Sequence, residues 1–349
     1  MTVHVSQPAP CQQALRIHLP ADAVGPVRDV VVREFQREAT IAGFRKGKAP
    51  REMVERQFPT QIREETLRRL TRQTFERVTT ERHLKPIGPF EVTKLDFDEQ
   101  KGLQLEAQVE VEPEFDVANY RGIRLTKPAV SVSAEELTQA LARLQESMAH
   151  LVPAGEGQPK ERQVPPLDDE LAKDLGFETL ERLKTHVDAK LREQKQAEAA
   201  QGLEQALCDA LLERHRVEVP PRLVTRQAER LTREFQARLL LSGMPEEKIQ
   251  EEVGTYTEQL KTNAIRLVKL AFILDRIAEH ETLSVTQDEV VERLWTLAKR
   301  WGRDPAEVRR LLDAKGLWPS VLSSIRQEKT INFLLSASQI VEESNISKQ

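Results

Sequence analysis

The strictest alternation of apolar and polar positions in the chain runs from Leu103 to Val111. Leu103, Leu105, Ala107, Val109 and Val111 alternate with Gln104, Glu106, Gln108 and Glu110. Successive side chains of a strand point to opposite faces, so the pattern predicts a strand with one dry and one wet face. Leu15, Ile17 and Leu19 repeat it around Arg16 and His18, and Val92 to Phe97 supplies a third strand. Between the first and later strands the period changes from two to 3.6. Pro20-Ala21-Asp22 opens a helix with Val24, Val27, Val31 and Phe35 on one stripe. A short helix follows from Arg51 to Phe58, stopped by Pro59. A longer one, 61–83, turns Leu67, Leu70, Phe75 and Val78 inward. Strand, helices, then strands within residues 1–118 predict an α+β domain, an antiparallel sheet with helices on one side.

The next segment, 119–166, reads as a connector. Ile123 to Val132 is extended, and Ser133 with Glu136 forms a capping box before a helix carrying Leu137, Leu141, Leu144 and Met148. Pro153 to Lys160 has the composition of a flexible linker. From Leu167 to the end the pattern is helical, which predicts a mainly α-helical body with arms over 167–349. Its long helices are expected at 178–215, 222–241 and 246–280, with a reversal at Val217 to Pro221. Shorter ones follow at 287–301, 305–315 and 319–341.

Composition narrows what this scaffold can be. Charged residues make up 31% and aromatics only 5%, so leucine, valine and alanine must supply the burial, which suits helices packed as arms. A net charge of −4 excludes a wholesale basic surface, so any RNA contact is expected to be local. Cys11 and Cys208 stand far apart and outside any CxxC spacing, which argues against disulfide scaffolds and zinc sites. The N-terminus shows no secretory pattern and no apolar run is long enough for a membrane span, so a reduced cytoplasm is expected. Seven histidines are scattered without ligand spacing, and neither a G-x-S-x-G nor a dinucleotide fingerprint occurs. His186 reads as a surface or packing residue and Cys208 as a small hydrophobe. No catalytic residue, cofactor or metal is expected.

The one concentrated piece of chemistry is Ile41-Ala42-Gly43-Phe44-Arg45-Lys46-Gly47-Lys48-Ala49-Pro50. Two glycines allow a sharp turn, Pro50 suits a helix start, and one aromatic and three cations are left at the tip. Residue types alone fit a solvated corner as well as a phosphate contact. A P-loop is excluded, because only three residues separate Gly43 from Gly47 and Ala49 follows Lys48.

Gly43-Phe44-Arg45-x-Gly47-Lys48-x-Pro50 resembles the ribosome-docking signature of trigger factor, a family of bacterial chaperones that meet nascent chains at the exit tunnel. The likeness covers residues 1 to 150 or so and returns near residue 165. It implies that Gly43, Phe44, Arg45, Lys46, Gly47 and Lys48 bind the large ribosomal subunit, through ribosomal RNA and a tunnel-exit protein. It also implies ATP-independent protection of nascent and unfolded polypeptides, and it leaves a homodimer off the ribosome open. The family usually inserts a prolyl-isomerase domain after the arm helix. Here Val152 to Pro166 is fifteen residues, against the roughly 40 of the smallest unaided domains, so no isomerase fits. Apolar residues surplus to a single stripe are candidates to face clients: Val30, Val32, Phe272, Trp295, Trp301, Trp318 and Phe333. Core packing is the competing reading for each. The rival functions are a prolyl-isomerase folding factor, a periplasmic helical chaperone and a structural helical adaptor.

Overall fold

The computed structural model describes residues 1–152 and 161–342, so the linker expected at Pro153 to Lys160 lies outside the described residues. The chain forms two units by contact. One joins Met1–Asp116 to Arg216–Phe272; the other joins Val117–His215 to the segment from Ile273 onward.

The first unit begins with β1 (Thr2–Ala9), β2 (Gln12–Leu19), α1 (Ala21–Glu38), α2 (Arg51–Gln57), α3 (Pro59–Glu81), β3 (Glu91–Asp98) and β4 (Gly102–Glu110). The four strands form an antiparallel sheet in the order β1-β2-β4-β3. Register follows the alternation: Leu15 opposes Ala107, Ile17 opposes Leu105 and Leu19 opposes Leu103, so one face of the two central strands is apolar from Leu15 to Leu19. Helices α1 and α3 close that face, with Val24, Leu70 and Val78 packed on Leu15, Ile17, Leu103 and Leu105. Each such side chain contributes about 1.5–3 kcal/mol by leaving water. The edge strand β1 is not anticipated by the sequence, because Val3 and Val5 alone carry its alternation.

Chain order continues with β5 (Arg124–Lys127), α4 (Ala134–Ser147), β6 (His150–Val152), β7 (Glu161–Gln163), α5 (Asp169–Asp174) and α6 (Leu180–Arg214). The capping box is formed as expected: the Ser133 hydroxyl accepts from the Glu136 amide, and Glu136 accepts from the Ser133 amide. Leu141 of α4 packs with Ala172 of α5 and Leu183 of α6. Lys195 ties α6 to Glu136 at 2.7 Å. His186 rests its ring on Phe177, a packing role. The short strands β6 and β7 pair antiparallel.

Next come α7 (Pro221–Leu241) and α8 (Glu246–His280). α7 is seated on the sheet end: the Arg222 amide donates to Glu110 at 2.8 Å, and its guanidinium pairs with Glu91. Val224 of α7 buries itself against Ala264 and Val268 of α8. α6 and α8 each run 35 residues, on the order of 50 Å.

The chain then forms α9 (Gln287–Trp301), α10 (Pro305–Ala314), α11 (Trp318–Ser336) and β8 (Gln339–Glu342). Here the periodicity misleads, since the pattern predicts helix through residue 341. The chain instead turns after Ser336, and β8 pairs in parallel with β5, Leu125 opposite Ile340. Backbone bonds from Gly122 N–H to Ala337 O and from Gln339 N–H to Ile123 O fasten the turn. A parallel partner more than two hundred residues away leaves no local signal. No described helix is long and apolar enough to cross a membrane.

Candidate functional site: a cationic tip and exposed apolar positions

The glycine-rich segment is a loop between α1 and α2, pinned from below. Ile41 and Ala49, at its two ends, are buried with Val31 and Val32 of α1, Val54 of α2 and Ile62 of α3. Gln36 of α1 donates to the Ala49 carbonyl at 2.6 Å. Two backbone bonds tighten the turn, Phe44 N–H to Ile41 O and Lys48 N–H to Arg45 O. Gly43 and Gly47 hold φ of +85° and +78°, angles at which an L side chain is strained. The loop therefore rests on buried feet, and Phe44, Arg45, Lys46 and Lys48 are exposed at its tip.

Pairing separates the tip from the rest of the basic surface. Arg28 and Arg51 both reach Glu55, and Arg51 also reaches Asp29, which braces α1 against α2. Arg69 bridges Glu34 of α1 and Glu65 of α3, and Arg68 adds a second partner to Glu65. Hydrogen bonds from Arg68 and then Arg69 hold the Glu65 carboxyl down at about 2. Among the described residues no carboxylate pairs with Arg45, Lys46 or Lys48. A cation without an internal partner keeps its full capacity for a phosphate oxygen.

The apolar candidates divide. Val30, Trp295 and Trp301 are exposed at 43%, 62% and 45%. Val32 is fully buried, which corrects its reading as a client-facing residue. α1 packs against both α2 and α3, so its buried arc is wider than one stripe and takes in Val31 and Val32 together. Phe272 is half-buried against the α7–α8 cluster. Trp318 packs on the cluster of Ala298, Val308 and Leu312, and its indole N–H donates to Asp313. Phe333 lies half-buried under the Arg121 guanidinium. Sequence reasoning missed Leu240 and Leu241 at the end of α7, exposed at 64% and 88%. Three consecutive leucines, 239 to 241, cannot share one helix face, so that signal was present.

Both cysteines are buried and neither forms a disulfide, and burial pushes the Cys11 thiol up. Among the described residues no cluster of His, Cys, Asp or Glu could hold a metal ion.

A sheet domain with an anchored cationic loop, joined to long helices that leave apolar side chains in water, defines a class of binding scaffold with the surfaces of a chaperone. Family models place the chain within that class. "Bacterial trigger factor protein (TF)" matches residues 1–144, and "Bacterial trigger factor protein (TF) C-terminus" matches residues 179–336. The chain belongs to the trigger factor family. The trigger factor of Anaeromyxobacter dehalogenans (strain 2CP-C) is 26% identical over 427 aligned positions, covering 97% of this chain and all of the relative. That of Geobacillus sp. (strain WCH70) is 26% identical, over 93% of this chain and 96% of the relative. The alignments are longer than the 349-residue chain, so these relatives contain sequence without a counterpart here. A solved structure described as "Promiscuous Substrate Recognition in Folding and Assembly Activities of the Trigger Factor Chaperone" shares the fold, with a TM-score of 0.54 and 20% identity. It covers 96% of this chain and 99% of that one.

Proposed function

We propose that this chain docks on the large ribosomal subunit beside the exit tunnel and shields nascent or unfolded polypeptides without using ATP. The observation that carries the reading is the anchored tip: three cations without a carboxylate partner among the described residues, around an exposed Phe44, on a loop whose ends are buried. Residues 1–118 dock, 119–166 connect, and 167–349 offer most of the client surface. The tip meets ribosomal RNA and a tunnel-exit protein, with Gly43 and Gly47 shaping the turn. Val30, Trp295, Trp301, Leu240 and Leu241 offer exposed apolar surface to clients. An unfolded chain exposes apolar groups that otherwise associate with one another, and several weak contacts retain it by effective concentration. The work is cytoplasmic, where ribosomes are met, and it is non-enzymatic, because the fifteen residues from Val152 to Pro166 are too few for an isomerase domain.

Replacing Phe44, Arg45 and Lys46 together by alanine is expected to abolish co-sedimentation with ribosomes and to leave suppression of aggregation mostly intact. Unchanged co-sedimentation would remove the tip from the mechanism. Strong acceleration of proline-limited refolding at catalytic concentration would restore the isomerase reading.

A further inference from the structure

The sheet is open along β3. That strand ends the order β1-β2-β4-β3, and among the described residues no strand or loop backbone pairs with its outer side. Two contacts fix how α3 runs beside it. The Arg63 guanidinium donates to the Phe97 carbonyl and lies 5.7 Å from that ring, while Phe75 stacks on Phe90 at 4.2 Å. Arg63 to Phe75 takes about 18 Å of helix and Phe90 to Phe97 about 23 Å of strand, so the two lie antiparallel over similar lengths.

Between these fastenings the helix leaves the strand uncovered. Val92 and Leu95 share the apolar face with their partners Ala107 and Leu105, yet they are 41% and 40% exposed, whereas those partners are 1% exposed. Ahead of the strand a pocket of about 760 Å³ is lined by Thr71 and Phe75 of α3, with Arg68, Arg72 and Glu76 of the same helix, and by Pro89 and Phe90. The result is a slot with a helix on one side, Val92 and Leu95 exposed along it, and a strand edge whose Phe97 carbonyl is already held by Arg63. Short extended peptides use such slots: backbone hydrogen bonds hold them, and alternate side chains fill the pockets.

We propose that the β3 edge and α3 form a peptide site that takes a short, extended segment of an unfolded client as a fifth strand. This rests on the client-shielding reading above and adds where, and in what conformation, one segment is held. A second copy of this chain is the rival occupant. β3 carries a bulge between Val92 and Lys94, and a bulge with a lysine interrupts the long flat pairing that two whole edges require. A short peptide running beside Leu95 to Asp98 avoids it, and there it takes over the Phe97 carbonyl from Arg63.

The test uses the full chain and a labelled heptapeptide of alternating valine and serine with both ends blocked, followed by fluorescence anisotropy and hydrogen exchange. Peptide is expected to slow exchange in 91–98. Val92→Asp with Leu95→Asp is expected to weaken binding at least tenfold. On the unaltered protein, N-methylation of alternate peptide amides should do the same, because it removes only strand pairing. Binding that survives both changes overturns the site, and loss with the aspartate variant alone overturns strand addition. Protection of β3 that rises with protein concentration without peptide assigns the edge to a second copy and also overturns the proposal. Aggregation suppression by the unaltered chain is scored separately: its absence defeats the shielding function, whereas its presence beside failed peptide binding defeats only this site.

Discussion

Helix α3 and the tip at 43–48 are both rich in cations, and they use them in opposite ways. Along α3, Arg68, Arg69, Arg72 and Arg77 each reach a glutamate, and Arg69 also reaches across to α1. At the tip Arg45, Lys46 and Lys48 reach none among the described residues. Counting basic residues would rank the helix above the loop as a nucleic-acid surface. Pairing reverses that order, since an arginine already held by a carboxylate must give up that partner before it serves a phosphate.

The largest effect that would sharpen this contrast is a charge reversal. Arg45→Glu with Lys46→Glu should remove detectable ribosome binding at low salt, while Arg72→Glu on α3 should change affinity less than about threefold; equal losses would break the comparison. A second contrast sits inside the sheet, where Leu105 and Leu95 are cross-strand partners with very different exposure. Leu105→Ala is expected to cost about 2–5 kcal/mol in denaturant unfolding and Leu95→Ala less than about 1 kcal/mol. Gly47→Ala should cost about 1–2 kcal/mol, since the left-handed backbone at that residue is strained for any L side chain. It should also weaken docking, as the turn relaxes away from its present shape.

The smallest effect concerns the paired arginines. Folding holds Glu65 at about 2, below its ordinary value of 4.5. A depressed carboxyl contributes stability that is complete above the unfolded value and is lost as pH falls toward the folded one. Thermal melts should therefore lose stability between pH 4.5 and about 2, and Glu65→Gln should flatten part of that fall. A variant as acid-sensitive as the unaltered chain would show that the arginine bridges do not brace α3.

The sequence carried the sheet face and most helices plainly, because alternation from Leu103 to Val109 and the stripes of α1, α3 and α4 are local signals that burial then obeys. The turn chemistry of the tip was equally legible, down to its glycines. Long-range pairing was not, and β8 read as the end of a helix because its partner β5 lies at the other end of the second unit. Val32 failed for a related reason. A stripe assumes one neighbour, and α1 has two. The open β3 edge was invisible for the same cause: Val92 and Leu95 look like any alternating strand until the path of α3 is known.

The most direct measurement of the central claim is the salt dependence of binding to purified ribosomes, with the unaltered chain and the Phe44, Arg45, Lys46 triple alanine variant in parallel. Three cations meeting phosphates predict a slope of about −2 to −3 in log affinity against log salt, hence a loss of about 20- to 60-fold between 50 and 200 mM. The variant should show no measurable binding across the range. Ribosome binding of equal strength and slope in both proteins would contradict the account.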